Sequence, residues 1–255
     1  MANNLFLLIL VGSLVGASSG LLGSFMILKR MSLVGDALSH VALPGMAIAL
    51  TLAINPFIGA FVALTVAVVG VWYLSEKTEV YPEALIGVFF TASLAVGILI
   101  TPEPELLEAL FGNIESIGLV DGLITILASL VIFSGVSKLS DKLLLGVVSQ
   151  DLASSTGVKM GRVNFVYLLL VGLVVALGVK FVGTLLTGAL VIIPAAAAKN
   201  MAMSVRSFKI AAVAIGSVSA VGGILIAQLL GIASGPVVVL VSIAAFCLSF
   251  FFKAK

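Results

Sequence analysis

Apolar segments of helical length follow one another along almost the whole chain, separated by short polar gaps. The first covers about Leu5–Leu28 and stops at Lys29-Arg30. The second, about Asp36–Ile54, ends at Asn55-Pro56, and the third, Phe57–Leu74, runs into the polar stretch SEKTEVYPE. The fourth, Ala84–Ile100, is stopped by Thr101-Pro102 and followed by PEPELLEALFGNIES, which is too polar to span. The fifth covers about Leu119–Val136, and a polar segment from Ser137 to Arg162 separates it from the sixth, Val163–Val179. The seventh, Val182–Ala198, begins almost at once, so it is short or tilted. The eighth, Ile210–Leu230, and the ninth, Val237–Phe252, flank a loop at Gly231–Pro236. The pattern predicts an all-α polytopic membrane protein with eight or nine transmembrane helices, the tight joint near Lys180 deciding the count.

Within the second segment three residues depart from the apolar background. His40 is the only histidine of the chain, Asp36 precedes it by four positions and Pro44 follows it by four. In a helix, residues four apart share a face about 6 Å apart along the axis, so Asp36 and His40 project the same way. An ionisable group at membrane depth is costly and is a functional candidate by default. Pro44 has no N–H to give the carbonyl of His40, and its ring crowds that carbonyl. With Gly35 and Gly45 on either side, the helix is expected to bend or open at the histidine, as helices lining ion pathways do. Two readings stand side by side here: an ion site, or a His–Asp hydrogen bond that locks neighbouring helices.

Composition agrees with the segment pattern. Of 255 residues, 62% are hydrophobic and 9% charged, against about 25% charged in soluble domains. The mean hydropathy is +1.34. One transmembrane domain over residues 1–255 is expected. Cys247 is the single cysteine, which rules out an internal disulfide and a multi-cysteine metal cluster. The N-terminal run MANNLFLLIL lacks a basic region and continues apolar, which reads as a first membrane helix.

The net charge of +2 says little, but the placement of charge says more. With nine spans, twelve of the 13 lysines and arginines fall in gaps on one side, and only Lys180 lies opposite. Basic residues concentrate on the cytoplasmic side, which puts the N-terminus outside and the C-terminus inside. The outer side carries Glu103, Glu105, Glu108 and Glu115, with Asp121 at a helix mouth. That acidic stretch either concentrates cations or is a solvated loop edge. Gly12, Gly16 and Gly20 share one face of the first span, which predicts close helix packing. No P-loop, Gly-rich phosphate motif or nucleophile triad occurs, so the chain is not expected to be an enzyme.

The long inner segment contains a short helix by its own signals. Ser149 is a suitable N-cap, Asp151 falls in the first turn where the helix dipole favours it, and Gly157 suits the stop. Gln150–Thr156 is therefore expected to form about two turns, and a helix that short needs a docking partner. Deep lipid burial is disfavoured, because Leu152, Ala153 and Val158 supply little apolar surface.

Several of these stretches together resemble a known family. Met31-Ser-Leu-Val-Gly-Asp-Ala-Leu-Ser-His40 with Leu43-Pro-Gly45 resembles the signature of zinc/manganese ABC-importer permeases, the membrane subunits of bacterial divalent-metal uptake systems. Ala84–Thr91, Leu110-Phe-Gly-Asn113, Asp151-Leu-Ala153 to Gly157, Gly183 to Pro194-Ala-Ala-Ala, and Ala233-Ser-Gly-Pro236 are similar to further family segments in family order. The resemblance covers essentially the whole chain, though the loop at Ser75–Pro82 and the inner helix match loosely. It implies a homodimer in a bacterial or archaeal plasma membrane, with two cytoplasmic ATP-binding subunits and an external or periplasmic metal-binding protein. It also implies that Asp36 and His40 contact the metal in transit, and that Asp151, Leu152, Ala153 and Gly157 form an ATPase-coupling helix.

Beyond the bilayer and those proteins no partner is expected, and nucleic acid is not among them. No cofactor is expected to stay bound; the metal, zinc or manganese, is cargo. Carboxylate with imidazole suits either ion. The competing reading is a secondary transporter that uses Asp36 and His40 as a proton-coupled relay and needs no ATPase. A non-transporting scaffold would leave the Asp–His pair without a role.

Overall fold

The structure, a computed structural model, describes residues 2–100, 110, 112 and 118–252. Glu103, Glu105, Glu108, Glu115 and Asn113 lie outside the described residues. The helices are α1 (Ala2–Leu28), α2 (Val34–Thr51), α3 (Pro56–Lys77), α4 (Pro82–Ile100), α5 (Leu119–Val148), α6 (Gln150–Ser155), α7 (Met160–Val182), α8 (Thr184–Met201), α9 (Val205–Leu230) and α10 (Ser234–Ser249), the last followed by a 3-10 turn at Phe250–Phe252. Among the described residues, nine helices are long and apolar enough to cross a membrane, which resolves the count at nine. The exception is α6, the short helix between α5 and α7.

Local chemistry sets the boundaries. Asn55 caps α3 by accepting the Phe57 N–H at 2.9 Å, and Pro56 takes the first helical position, where no N–H is needed. Ser204 accepts from Ser207 N at 3.1 Å to start α9, and Gly231, at φ +65°, ends it in the left-handed region.

Small residues bring the helices together. In lipid there is little hydrophobic drive between helices, so close backbone contact matters more. The Gly16 and Gly216 backbones meet between α1 and α9, and Gly20 faces the Ala212 carbonyl one turn on. Gly23 faces the Val191 carbonyl of α8, so one glycine face of α1 seats two helices. The packing reading of that face holds.

The most enclosed spanning helix is α7, and its junction with α8 is unlike a surface loop. Val182 and Thr184 are fully buried on either side of Gly183. Phe181 packs where a Cβ on Gly12 would stand, 2.9 Å from its ring. Gly12 is ten residues into α1, so the junction lies roughly 15 Å along that helix rather than at its end. This explains why the seventh apolar segment is short and follows the sixth without a polar gap.

Candidate metal site and its supports

Asp36 and His40 sit one turn apart on the same face of α2. Leu33, Asp36, Ile48 and Thr51 are exposed in the single chain, and His40 and Pro44 are half-buried. Leu38, Ser39, Val41, Ala42, Leu43 and Ala47 are buried, the last two on the face that carries the pair. The carboxylate is near enough to act on His40 electrostatically. Among the described residues no hydrogen bond joins the two side chains, and the buried His40 Nδ1 has no partner. The imidazole instead lies against Phe90 of α4, ring centroids 5.4 Å apart at 58°.

Two contacts with α8 fix this part of α2. The Ser39 hydroxyl lies 2.8 Å from the Thr184 carbonyl and 2.7 Å from the Asp36 carbonyl, tying the site helix to the first residue of α8. Asp36 itself packs on Gly188: a Cβ there would lie 2.7 Å from Asp36 Cβ and 2.8 Å from Oδ1. Gly188 is thus the gap that receives the carboxylate's stem.

The α7–α8 junction that carries Thr184 is itself held by glycines. Gly183 has φ +85°, a conformation that favours glycine. Gly112, also left-handed at φ +68°, packs directly on the Gly183 backbone. Gly235, at the start of α10, leaves room for Val182, whose Cα would be 3.3 Å from an added Cβ. Non-helical backbone inside a membrane protein must have its polar groups satisfied by protein. Here the Thr187 hydroxyl donates to the Gly183 carbonyl at 2.6 Å, and Ser39 reaches the next carbonyl.

Helical backbone continues through Pro44, from Val34 to Thr51. Proline removes one bond, the one to the His40 carbonyl. Both flanking glycines make packing contacts. Gly45 meets the Gly59 backbone of α3, and Gly35 makes room for Met26 Cε.

At the end of the bundle near Asn55, Lys180 of α7 pairs with Asp121 of α5. Asp121 also accepts the Gly118 N–H at 3.0 Å. The lone basic residue on its side therefore meets the acid at that helix mouth. At the opposite end, α6 is shorter by one residue than expected, with Ser149 accepting Leu152 N at 3.2 Å and Thr156 as C-cap. Asp151 and Leu152 are exposed, and Gly157 lies in open space at φ +79°. Ala153 is fully buried within the chain. Its methyl seats α6 on the chain, and the outward face is Asp151 and Leu152.

A bundle of membrane-length helices, nine among the described residues, defines a polytopic integral membrane protein. The chain belongs to the ABC 3 transport family, whose pattern matches residues 1–253. It is 32% identical over 245 residues to the manganese transport system membrane protein MntC of Listeria monocytogenes, covering 94% of this chain and 88% of that protein. It is 31% identical over 256 residues to the high-affinity zinc uptake system membrane protein ZnuB of Haemophilus influenzae, covering 98% of each. Its fold matches the solved structure of PsaBC from Streptococcus pneumoniae in complex with Fab, with a TM-score of 0.85 and 30% identity over 97% of this chain and 91% of that one.

Sequence reasoning placed Asp36 and His40 together but missed Ser39, Thr184 and Gly188 as their supports. The signal was present only as a Gly-rich segment far along the chain. Gly188→Ala tests the support directly. The added methyl must displace Asp36, and overpacking of this kind costs about 1–3 kcal/mol. The variant is expected to assemble and to lose most transport. Transport at the unsubstituted rate would show that the α8 gap does not position Asp36.

Proposed function

We propose that this chain is the membrane permease of an ATP-driven importer of divalent transition metal ions, zinc or manganese, and that the ion passes between Asp36 and His40 of two copies. The observation that carries this reading is the face of α2 on which Asp36 is exposed in the single chain. It holds a carboxylate and an imidazole, and among the described residues no third His, Cys, Asp or Glu completes a ligand set with them. A charge facing lipid is costly, so this face needs a polar partner. A second copy related by a two-fold axis brings another Asp36 and another His40. Two carboxylates then offset the charge of a dication, and two imidazoles supply nitrogen ligands that zinc and manganese both accept. The missing Asp36–His40 hydrogen bond supports a ligand role over a locking contact. Relatives named for manganese import and zinc uptake support the cargo. Membership of an ABC transport family argues against the secondary-transporter alternative.

In this reading an external metal-binding protein delivers the ion to the outer mouth beside Lys180 and Asp121. The ion sheds water, is held by the paired Asp36 and His40 side chains, and leaves inward when the two permease copies rock about the site. Two cytoplasmic ATP-binding subunits drive that motion through α6. Six residues do not hold a helix alone, so the seat formed by Ala153 transmits movement between α6 and the bundle. The permease lies in the plasma membrane with its N-terminus outside and C-terminus inside.

Three outcomes test these parts. Asp36→Asn keeps size and removes charge; it is expected to abolish metal uptake in a complex that still hydrolyses ATP, and uptake by the unsubstituted protein is expected to fall with pH as protons compete for the ligands. A structural contact would tolerate Asn at about 1 kcal/mol, so near-normal uptake by that variant removes the metal role. Leu152→Asp, at an exposed position, is expected to leave the chain folded and to uncouple ATP hydrolysis from uptake; coupled uptake at the normal rate would place the docking face elsewhere. In a Cys247→Ser background, cysteines at Ile232 and Ser154 are expected to label from opposite membrane faces, Ile232 from outside. Labelling of both from one face contradicts the orientation.

A further inference from the structure

A cleft of about 540 Å³ opens at the end of the bundle where α1 and α3 end and α4 begins, and where α5 ends and α7 begins on either side of α6. That volume is in the range of small-ligand sites, about 300–1,000 Å³. It lies at the end of α2 remote from Asn55, separate from the Asp36–His40 face. Lys29 and Arg30 line it together with Glu76 and Glu83. Among the described residues the only ion pair is Lys180–Asp121, so these four charges do not neutralise one another across the space. Glu76 is turned toward Gly161, where any Cβ would overlap its carboxylate. Lys29 is half-buried. Its ammonium donates to Asn164 Oδ1 at 2.7 Å and stands 5.3 Å over the Tyr167 ring. An ammonium has three donors, and one is used there. Burial holds the Lys29 pKa below the usual lysine value, the cost of a cation without a carboxylate partner. The wall adds two buried donors with no partner, Trp72 Nε1 and the Tyr167 hydroxyl.

We propose that this cleft binds the headgroup of a zwitterionic phospholipid, phosphatidylethanolamine, with the phosphate at Lys29 and Arg30 and the ammonium at Glu76 and Glu83. A cleft lined by unpaired charges of both signs matches a ligand that carries both signs a few atoms apart. A purely anionic headgroup would meet two carboxylates, and a cation would meet Lys29 and Arg30. Basic pockets between membrane helices at the headgroup level recognise lipid phosphates, and the apolar part of the wall, including Leu28 and Leu168, accommodates the start of the acyl chains. Ethanolamine is favoured over choline because carboxylates accept hydrogen bonds from N–H donors, which a quaternary ammonium lacks. The proposal is independent of the transported ion.

The test titrates the delipidated intact transporter, in detergent micelles, with phosphatidylethanolamine, phosphatidylglycerol and phosphatidylcholine, and counts retained lipids by native mass spectrometry. Phosphatidylethanolamine is expected to be retained over both others. Lys29→Met and Glu83→Gln are each expected to remove that preference while the subunits stay assembled; Glu83 is exposed, so its substitution decides the matter if Lys29→Met does not fold. Equal retention of the three lipids, preference for phosphatidylglycerol, or an unchanged preference in Glu83→Gln overturns the proposal. Release of the ATP-binding subunits by Glu83→Gln at unchanged lipid preference assigns the cleft to that partner. Binding of soluble glycerophosphoethanolamine as tight as that of the lipid assigns it to a free solute. Either result also overturns the proposal.

Discussion

A carboxylate held among apolar helices is the constraint from which the rest of the site follows. Asp36 cannot be moved to the aqueous ends of α2 without separating it from His40, and it cannot face lipid without a large desolvation cost. Its stem and Oδ1 lie against the gap at Gly188, while the residue stays exposed in the single chain on the α2 face that also carries His40. In the proposed reading a second copy completes that polar surface.

The seat for that carboxylate depends in turn on a backbone turn placed inside the bundle. Gly183 allows α7 to end and α8 to begin with no polar loop, and Gly112 and Gly235 let two other parts of the chain pack against that joint. Thr187 and Ser39 satisfy two of its carbonyls. Because Ser39 precedes His40, the hydrogen bond that satisfies the turn also sets the rotation of α2. The position of Asp36 and His40 is thus linked to α7, α8 and α10. A shift of α7 against α8 would reach Asp36 and His40 through this bond, and in the proposed reading this is the route by which movement of α6 influences the ion.

Eight or nine spans, the Asp36–His40 register and the Ser149 cap of α6 were legible in the chain, because hydropathy, helical periodicity and capping are local properties; the joint near Lys180 needed the fold. The supports of the site were not. Gly188 lies 152 positions after Asp36, and nothing local distinguishes a glycine that receives a side chain from one that meets a backbone. Beside Pro44, the packing of Gly45 on Gly59 was likewise hidden until the fold was known. The seat of Ala153 was hidden too, since an alanine adds little to any hydrophobicity sum yet is fully buried where α6 meets its neighbours. Gly112, Gly183 and Gly235 read as three separate weak motifs, and their meeting at one turn needed the fold.

The central claim is that each copy contributes half of one ion site. Equilibrium dialysis of the purified transporter against manganese or zinc, with metal and permease copies counted in the same sample, tests it most directly. The account predicts one ion per two permease copies, with binding lost when Asp36 is replaced by Asn. One ion per single copy, or the same stoichiometry in the Asp36→Asn protein, would contradict it.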